Sequence, residues 1–232
     1  TLIDTAEMYG DGAAEELIGE ALGHRRDELF LVSKAFPHHA SRTALPRACE
    51  ASLARLGTDR IDLYLLHWRG SVPLDETVEA MQALKQAGKI RHWGVSNLDT
   101  DDMEELVEAG GAACATDQIL YNLTRRGPEQ ALMPWLAAHR IPVMAYSPVE
   151  QGRLIDHPQL AATASRMGAS PAQVALAWAM RSGEVIAIPK AGSPAHVRDN
   201  RAAADLVIPE DELAALDAAL PVPARPIALE ML

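Results

Sequence analysis

Apolar residues along this chain follow two periods that take turns. Short runs rich in branched side chains fall at 2–3, 29–32, 61–66, 93–95, 119–121, 143–146 and 185–188. Runs of that length and composition predict buried strands. After each run, apolar positions recur three and four residues apart, the spacing of an amphipathic helix. Those helical stretches cover 15–22, 45–56, 78–87, 103–107, 132–138, 172–180 and 197–206. Boundary residues fit the same division. Ser170 and Gln173 bracket Pro171 as a capping box with proline at the first helical position, and Ser193-Pro194 repeats that start. Gly23, Gly57 and Gly88 stand just past helix ends, where a left-handed residue commonly terminates a helix.

Alternating strands and helices predict a parallel sheet, because each helix carries the chain back to the side from which the next strand starts. Seven such units occur. An open doubly wound sheet would be expected to carry a glycine-rich phosphate loop after its first strand, and the chain contains no G-x-G-x-x-G. The expected fold is therefore α/β: a (β/α)8 TIM barrel lacking its first strand–helix unit in this chain. Residues 1–232 are expected to form a single domain. On that view roughly 30–50 further N-terminal residues would complete the barrel. Two more helices, at about 158–167 and 209–219, fall outside the repeat and would decorate it.

Composition narrows the function classes. The 232 residues are 48% apolar and 23% charged, an ordinary globular balance, and no stretch resembles a membrane span or a signal peptide. Cys49 and Cys114 are too few for a disulfide framework and lack metal-ligand spacing, which suits a reducing, cytoplasmic compartment. A net charge of −11 argues against nucleic acid or membrane surfaces as partners. It does not bar a phosphorylated cofactor, since a few local cations outweigh a distant field. A small-molecule substrate, a monomeric state and no metal site are expected.

In parallel barrels the chemistry collects where strands end. Those positions hold Asp4, Lys34, His67, Ser96-Asn97, Gln118, Tyr146-Ser147 and Lys190. Alone, Asp4 would pass for a helix cap, Lys34 for a solvated lysine and His67 for a rim histidine. Together, on three successive strand ends, they form a set suited to carbonyl reduction. Hydride transfer leaves a developing alkoxide that needs a proton. Tyr9 could supply it, although a free tyrosine, with a pKa near ~10, is a weak acid. An ammonium nearby favours the phenolate, which is the role open to Lys34. Asp4 could fix Lys34, and His67 could hydrogen-bond the carbonyl oxygen. The hydride would come from a cofactor.

Five segments extend the pattern: Asp4-Thr5-Ala6-Glu7-Met8-Tyr9-Gly10, Val32-Ser33-Lys34, Leu65-Leu66-His67-Trp68, Gly94-Val95-Ser96-Asn97 and Ile188-Pro189-Lys190. In order and spacing they resemble the signature blocks of the aldo-keto reductases, and the resemblance runs from Thr1 into the C-terminal tail. Within that family the sequence is most similar to bacterial reductases of small aldehydes, the methylglyoxal-reducing type. The resemblance implies NADPH-dependent reduction of aldehydes, with NADH as a weaker alternative. It makes Asp4, Tyr9, Lys34 and His67 the catalytic tetrad, and assigns Ser96, Asn97 and Gln118 to the nicotinamide carboxamide. It stacks Tyr146 on the nicotinamide ring and lays Ser147, Pro148, Gly152 and Leu154 along the pyrophosphate. Lys190 and Ser193 would meet the adenosine 2′-phosphate, Asn200 the adenine, and Met8 and Trp68 the substrate. One departure is His196, where many NADPH-preferring members carry arginine; the other is the absent first unit. Two further readings are a cofactor-sensing regulatory subunit and an inactive barrel fragment. Elsewhere, His38-His39 reads as a solvated pair, Cys114 as a small buried hydrophobe, and the acidic run from Asp99 to Glu105 as a solvated helix start.

Overall fold

The computed structural model describes residues 1–232, which pack as two compact units, 1–117 and 118–232. In the first, strands β1 (Leu2–Asp4), β2 (Phe30–Ala35), β3 (Ile61–Leu66) and β4 (Ile90–Ser96) alternate with helices α1 (Ala13–Leu22), α2 (Ala44–Leu56), α3 (Leu74–Gln86) and α4 (Thr100–Glu108). The strands pair in parallel in sequence order, with Asp4 beside Val32, Lys34 beside Leu65 and Leu66 beside Val95. That register brings the C-terminal ends of all four to one side. Strand β3 is buried along its whole length, which explains why its sequence reads as an apolar run broken only by Asp62, whose carboxylate pairs with Arg26 and Arg91.

Strand β5 (Asp117–Leu120) leads into the second unit, which holds α5 (Leu132–Ala138), β6 (Val143–Tyr146), α6 (Pro158–Met167), α7 (Pro171–Ala179), β7 (Val185–Ala187), α8 (Pro194–Ala202) and α9 (Glu210–Ala219). Strands β6 and β7 are parallel, with Val143 beside Val185. Helices α6 and α9 are the two that fall outside the repeat. They are tied together by Glu212, whose carboxylate receives Thr163 Oγ1 and the Arg166 guanidinium. The capping box at α7 is formed: Ser170 Oγ accepts from the Gln173 amide at 3.2 Å, and Gln173 Oε1 accepts from the Ser170 amide at 2.8 Å. No helix is long and apolar enough to cross a membrane.

Some local expectations need correction. Gly57 and Gly88 are left-handed (φ 63° and 73°), but Gly23 is right-handed. The chain runs on from α1 into a 3₁₀ segment, Gly23–Glu28, so glycine there ends the α-helix without reversing its hand. The helix expected at 197–206 starts at Pro194, where Ser193 caps it, and stops at Ala202. Lys34 lies inside β2 and not beyond it.

Candidate active site

Lys34, on β2, places a charged side chain inside the first unit. It is fully buried, and burying an ammonium is tolerable only when each proton meets an acceptor. Its Nζ donates to Asp4 Oδ1 at 2.5 Å, to the Thr5 carbonyl at 2.9 Å and to Tyr9 Oη at 3.3 Å. All three acceptors come from β1 and the loop after it, so the parallel pairing of β1 with β2 creates the cluster. That loop turns sharply through Gly10, Asp11 and Gly12, all with positive φ, and leaves Tyr9 37% exposed with its hydroxyl at the ammonium.

His67 follows β3, its backbone amide donating to the Ala35 carbonyl at 3.0 Å. Its ring meets the Tyr9 ring edge-on, with centroids 5.9 Å apart, and lies 4.9 Å from the Trp68 ring. Only 8% of the residue is exposed, and Nδ1 is buried without a partner. Burial, and then the charge of Lys34, push the imidazole down to about 3, so it is neutral at physiological pH. Beyond β4, Asn97 adopts φ 59° and its Nδ2 donates to the His67 carbonyl at 3.1 Å and to Ser96 Oγ at 3.0 Å. That amide ties the ends of β3 and β4 together. Asp4, Lys34 and Ser96 thus lie in the last residues of neighbouring strands and Tyr9, His67 and Asn97 in the loops after them, with Met8 and Trp68 beside Tyr9 and His67 in sequence. Met8 is 39% exposed and Trp68 half-buried.

In the second unit, Gln118 is buried on β5, its Nε2 4.0 Å from Met144 Sδ, and Tyr146 ends β6 half-buried. The segment 147–154 after β6 carries four left-handed residues: Ser147, Glu150, Gln151 and Gly152. Three of them are not glycine, a conformation that persists only where surroundings enforce it. Asn122 supplies the hold, donating to the Ser147 carbonyl at 3.0 Å and to Glu150 Oε2 at 2.8 Å. Burial works to raise the Glu150 carboxyl, but Arg125, Asn122 and Arg153 outweigh it and keep the group below the usual carboxylate range. Pro148 and the buried Leu154 belong to the same segment.

At α8, Ser193 Oγ accepts the His196 amide at 3.2 Å and keeps its own proton free to donate. Lys190 is exposed and pairs with no carboxylate. Its Nζ stands only 3.7 Å from where a side chain on Gly192 would begin. An uncommitted ammonium beside the first turn of a nine-residue helix fits a phosphate dianion. His196 and Arg198 are exposed on α8, and Asn200 is half-buried.

Sequence reasoning missed the supports. Asn122, Arg125 and Glu150 carry no motif. His38 is exposed as expected, but His39 is not simply solvated: its Nδ1 lies 2.9 Å from Glu7 Oε1. Cys114 is buried, and burial pushes its thiol up to about 12. Asp99 and Asp102 form a capping box at α4, a firmer role than a solvated acidic start.

The sequence pattern of the Aldo/keto reductase family matches residues 1–221. The chain is 51% identical to a protein named methylglyoxal reductase YeaE from Escherichia coli, a match covering all of this chain and 84% of that one. Among solved structures it is similar to an aldo/keto reductase from Klebsiella pneumoniae in complex with NADP and acetate. The identity is 53%, the TM-score 0.97, and the match covers all of this chain and 84% of the other. A second structure of a Klebsiella pneumoniae aldo-keto reductase, in complex with NADPH, matches equally well. The chain belongs to the aldo/keto reductase family and is an NADP-dependent oxidoreductase.

Proposed function

We propose that this protein reduces small aldehydes, including 2-oxoaldehydes such as methylglyoxal, to alcohols with NADPH, and that Tyr9 is the general acid. The observation that carries the reading is the buried Lys34 ammonium held between Asp4 and the Tyr9 hydroxyl. The named activity of the Escherichia coli relative supports the substrate class. When bound, NADPH supplies the hydride.

The groups of the chain divide the remaining work by elimination. Lys34 is committed to an ion pair and a carbonyl, so its protons are not for transfer. His67 is neutral and holds no acidic proton near pH 7. A neutral imidazole carries one proton, and placing it on the partnerless Nδ1 would bury an unsatisfied donor. The proton therefore sits on Nε2, from which His67 can orient a carbonyl oxygen by hydrogen bonding. Tyr9 Oη–H remains as the donor. Giving up its proton leaves a phenolate 3.3 Å from the Lys34 ammonium, whose positive charge faces it. Met8 and Trp68 contact the aldehyde.

For the cofactor, Ser96, Asn97 and Gln118 hold the carboxamide, and Tyr146 stacks on the nicotinamide. Ser147, Pro148, Gly152 and Leu154 follow the pyrophosphate, with Asn200 at the adenine. Lys190 and Ser193 meet the 2′-phosphate, which NADH lacks and so binds more weakly. The parallel pairing and the alternation support reading the seven strand–helix units as part of one (β/α)8 barrel domain. The two free buried cysteines suit a monomer working in the cytoplasm.

Tyr9→Phe tests the assignment. Turnover of methylglyoxal should fall by ~10²–10⁴-fold, the usual worth of an acid–base group, while NADPH affinity measured by fluorescence stays the same. Near-normal turnover would remove Tyr9 from the role.

A further inference from the structure

One carboxylate beside the reacting groups takes no part in the chemistry derived above. Glu7 lies between Asp4 and Tyr9 in the loop after β1 and is only 8% exposed. Its Oε1 accepts the Phe36 backbone amide at 2.6 Å and faces His39 Nδ1 at 2.9 Å. Both partners belong to the loop after β2, so Glu7 bridges the loops that follow β1 and β2. Burying a carboxylate is costly, and an apolar residue would fill the same space without that cost.

The bridge continues through packed rings. Phe36 stacks on His38 (centroids 4.9 Å apart) and meets Trp68 edge-on at 6.0 Å. Trp68 in turn lies against His67, and His67 against Tyr9. The backbones interlock too: a side chain at Gly70 would begin 2.6 Å from Pro37 Cβ, so only glycine lets the loop after β3 sit this close to the loop after β2. Three loops therefore form one wall from Glu7 to the Tyr9 hydroxyl, and Glu7 is the side chain that anchors its middle member.

We propose that Glu7 is a positioning residue: by holding Phe36 and His39 it sets the Phe36–Trp68 wall and with it the preference for short over bulky aldehydes. The inference rests on the reading of Tyr9 and His67 given above. Release of Phe36 leaves the Lys34 cluster intact but lets Trp68 drift, so substrate fit suffers more than proton transfer.

Two variants separate the roles. Glu7→Met keeps the approximate shape and removes both contacts; Glu7→Gln keeps, at the position of Oε1, an acceptor oxygen for the Phe36 amide and for an Nδ1–H of His39. Hydrogen exchange reads the anchor directly. In Glu7→Met the Phe36 amide should exchange on the order of tenfold faster, the effect of losing one buried hydrogen bond, and Glu7→Gln should restore protection. Kinetics on methylglyoxal and benzaldehyde read the consequence. For Glu7→Met, KM for methylglyoxal should rise on the order of tenfold at nearly constant kcat, narrowing the preference between the two, with Glu7→Gln restoring it. If Phe36 loses protection while the preference is unchanged, or if kcat falls and KM does not, the proposal is overturned. A glutamine variant that behaves like methionine also overturns it. A wild-type chain that reduces neither aldehyde would refute the reading of the site itself, whatever the exchange rates show.

Discussion

The His67 imidazole is neutral in the folded protein because burial and the Lys34 charge disfavour its cation, pushing it from 6.5 down to about 3. In the unfolded chain the same ring protonates near its ordinary value. Below pH 6.5 the unfolded state therefore takes up a proton that the folded state refuses, and stability falls as pH drops, until the loss is complete below about 3. Each unit is worth about 1.4 kcal/mol, so His67 alone should cost about 2 kcal/mol at pH 5 and about 3 kcal/mol at pH 4, against almost nothing at pH 7. His67→Gln removes the titrating group and keeps a polar side chain of similar reach. Urea unfolding of both proteins at pH 7, 6 and 5 isolates the term, because every other titration cancels in the difference. The variant should gain about 2 kcal/mol on the wild type between pH 7 and pH 5. A difference that stays constant with pH would refute the claim that His67 is held neutral.

Burial gives Asp117 the opposite linkage. It is fully buried with no well-formed hydrogen bond to either oxygen, and desolvation raises its carboxyl well above the usual range. Above pH ~3.8 the unfolded chain ionises where the folded one does not, so stability declines as pH rises. The melting-temperature advantage of Asp117→Asn should therefore grow between pH 4 and pH 8. Lys190→Ala should weaken NADPH binding several-fold while leaving NADH binding unchanged, as fluorescence titration of each would show; equal losses would place Lys190 away from the 2′-phosphate. Gly94→Ala should lower the melting temperature strongly, since its Cβ would begin 2.6 Å from the Thr116 carbonyl, a backbone atom with little freedom to retreat.

Much of this was legible in the sequence, for a physical reason. Parallel strands buried on both faces write themselves as apolar runs, and parallel pairing puts successive strand ends side by side. Asp4, Lys34 and His67 can thus be grouped from the sequence alone. What escaped depends on partners far along the chain. The left-handed Ser147 and Glu150 have no local signature, because Asn122 and Arg125, some 25 positions earlier, hold them. His39 looked solvated because its partner Glu7 lies 32 positions away on another loop. Gly23 misled for a different reason: glycine permits a left-handed end but does not impose one.

Lysine is usually read as a surface residue, yet here its burial organises the electrostatics of the whole cluster. An ammonium with no water must find acceptors for every proton, and Asp4, Thr5 and Tyr9 meet that demand together. The same positive charge lies close enough to His67 to disfavour a second cation, although burial is the larger cause. Removing Lys34 would therefore leave His67 neutral at pH 7 while taking the stabilising charge away from the Tyr9 phenolate. The two basic residues are not redundant. One holds the charge that makes proton donation by a phenol possible, and the other stays uncharged so that it can orient substrate without competing as the acid.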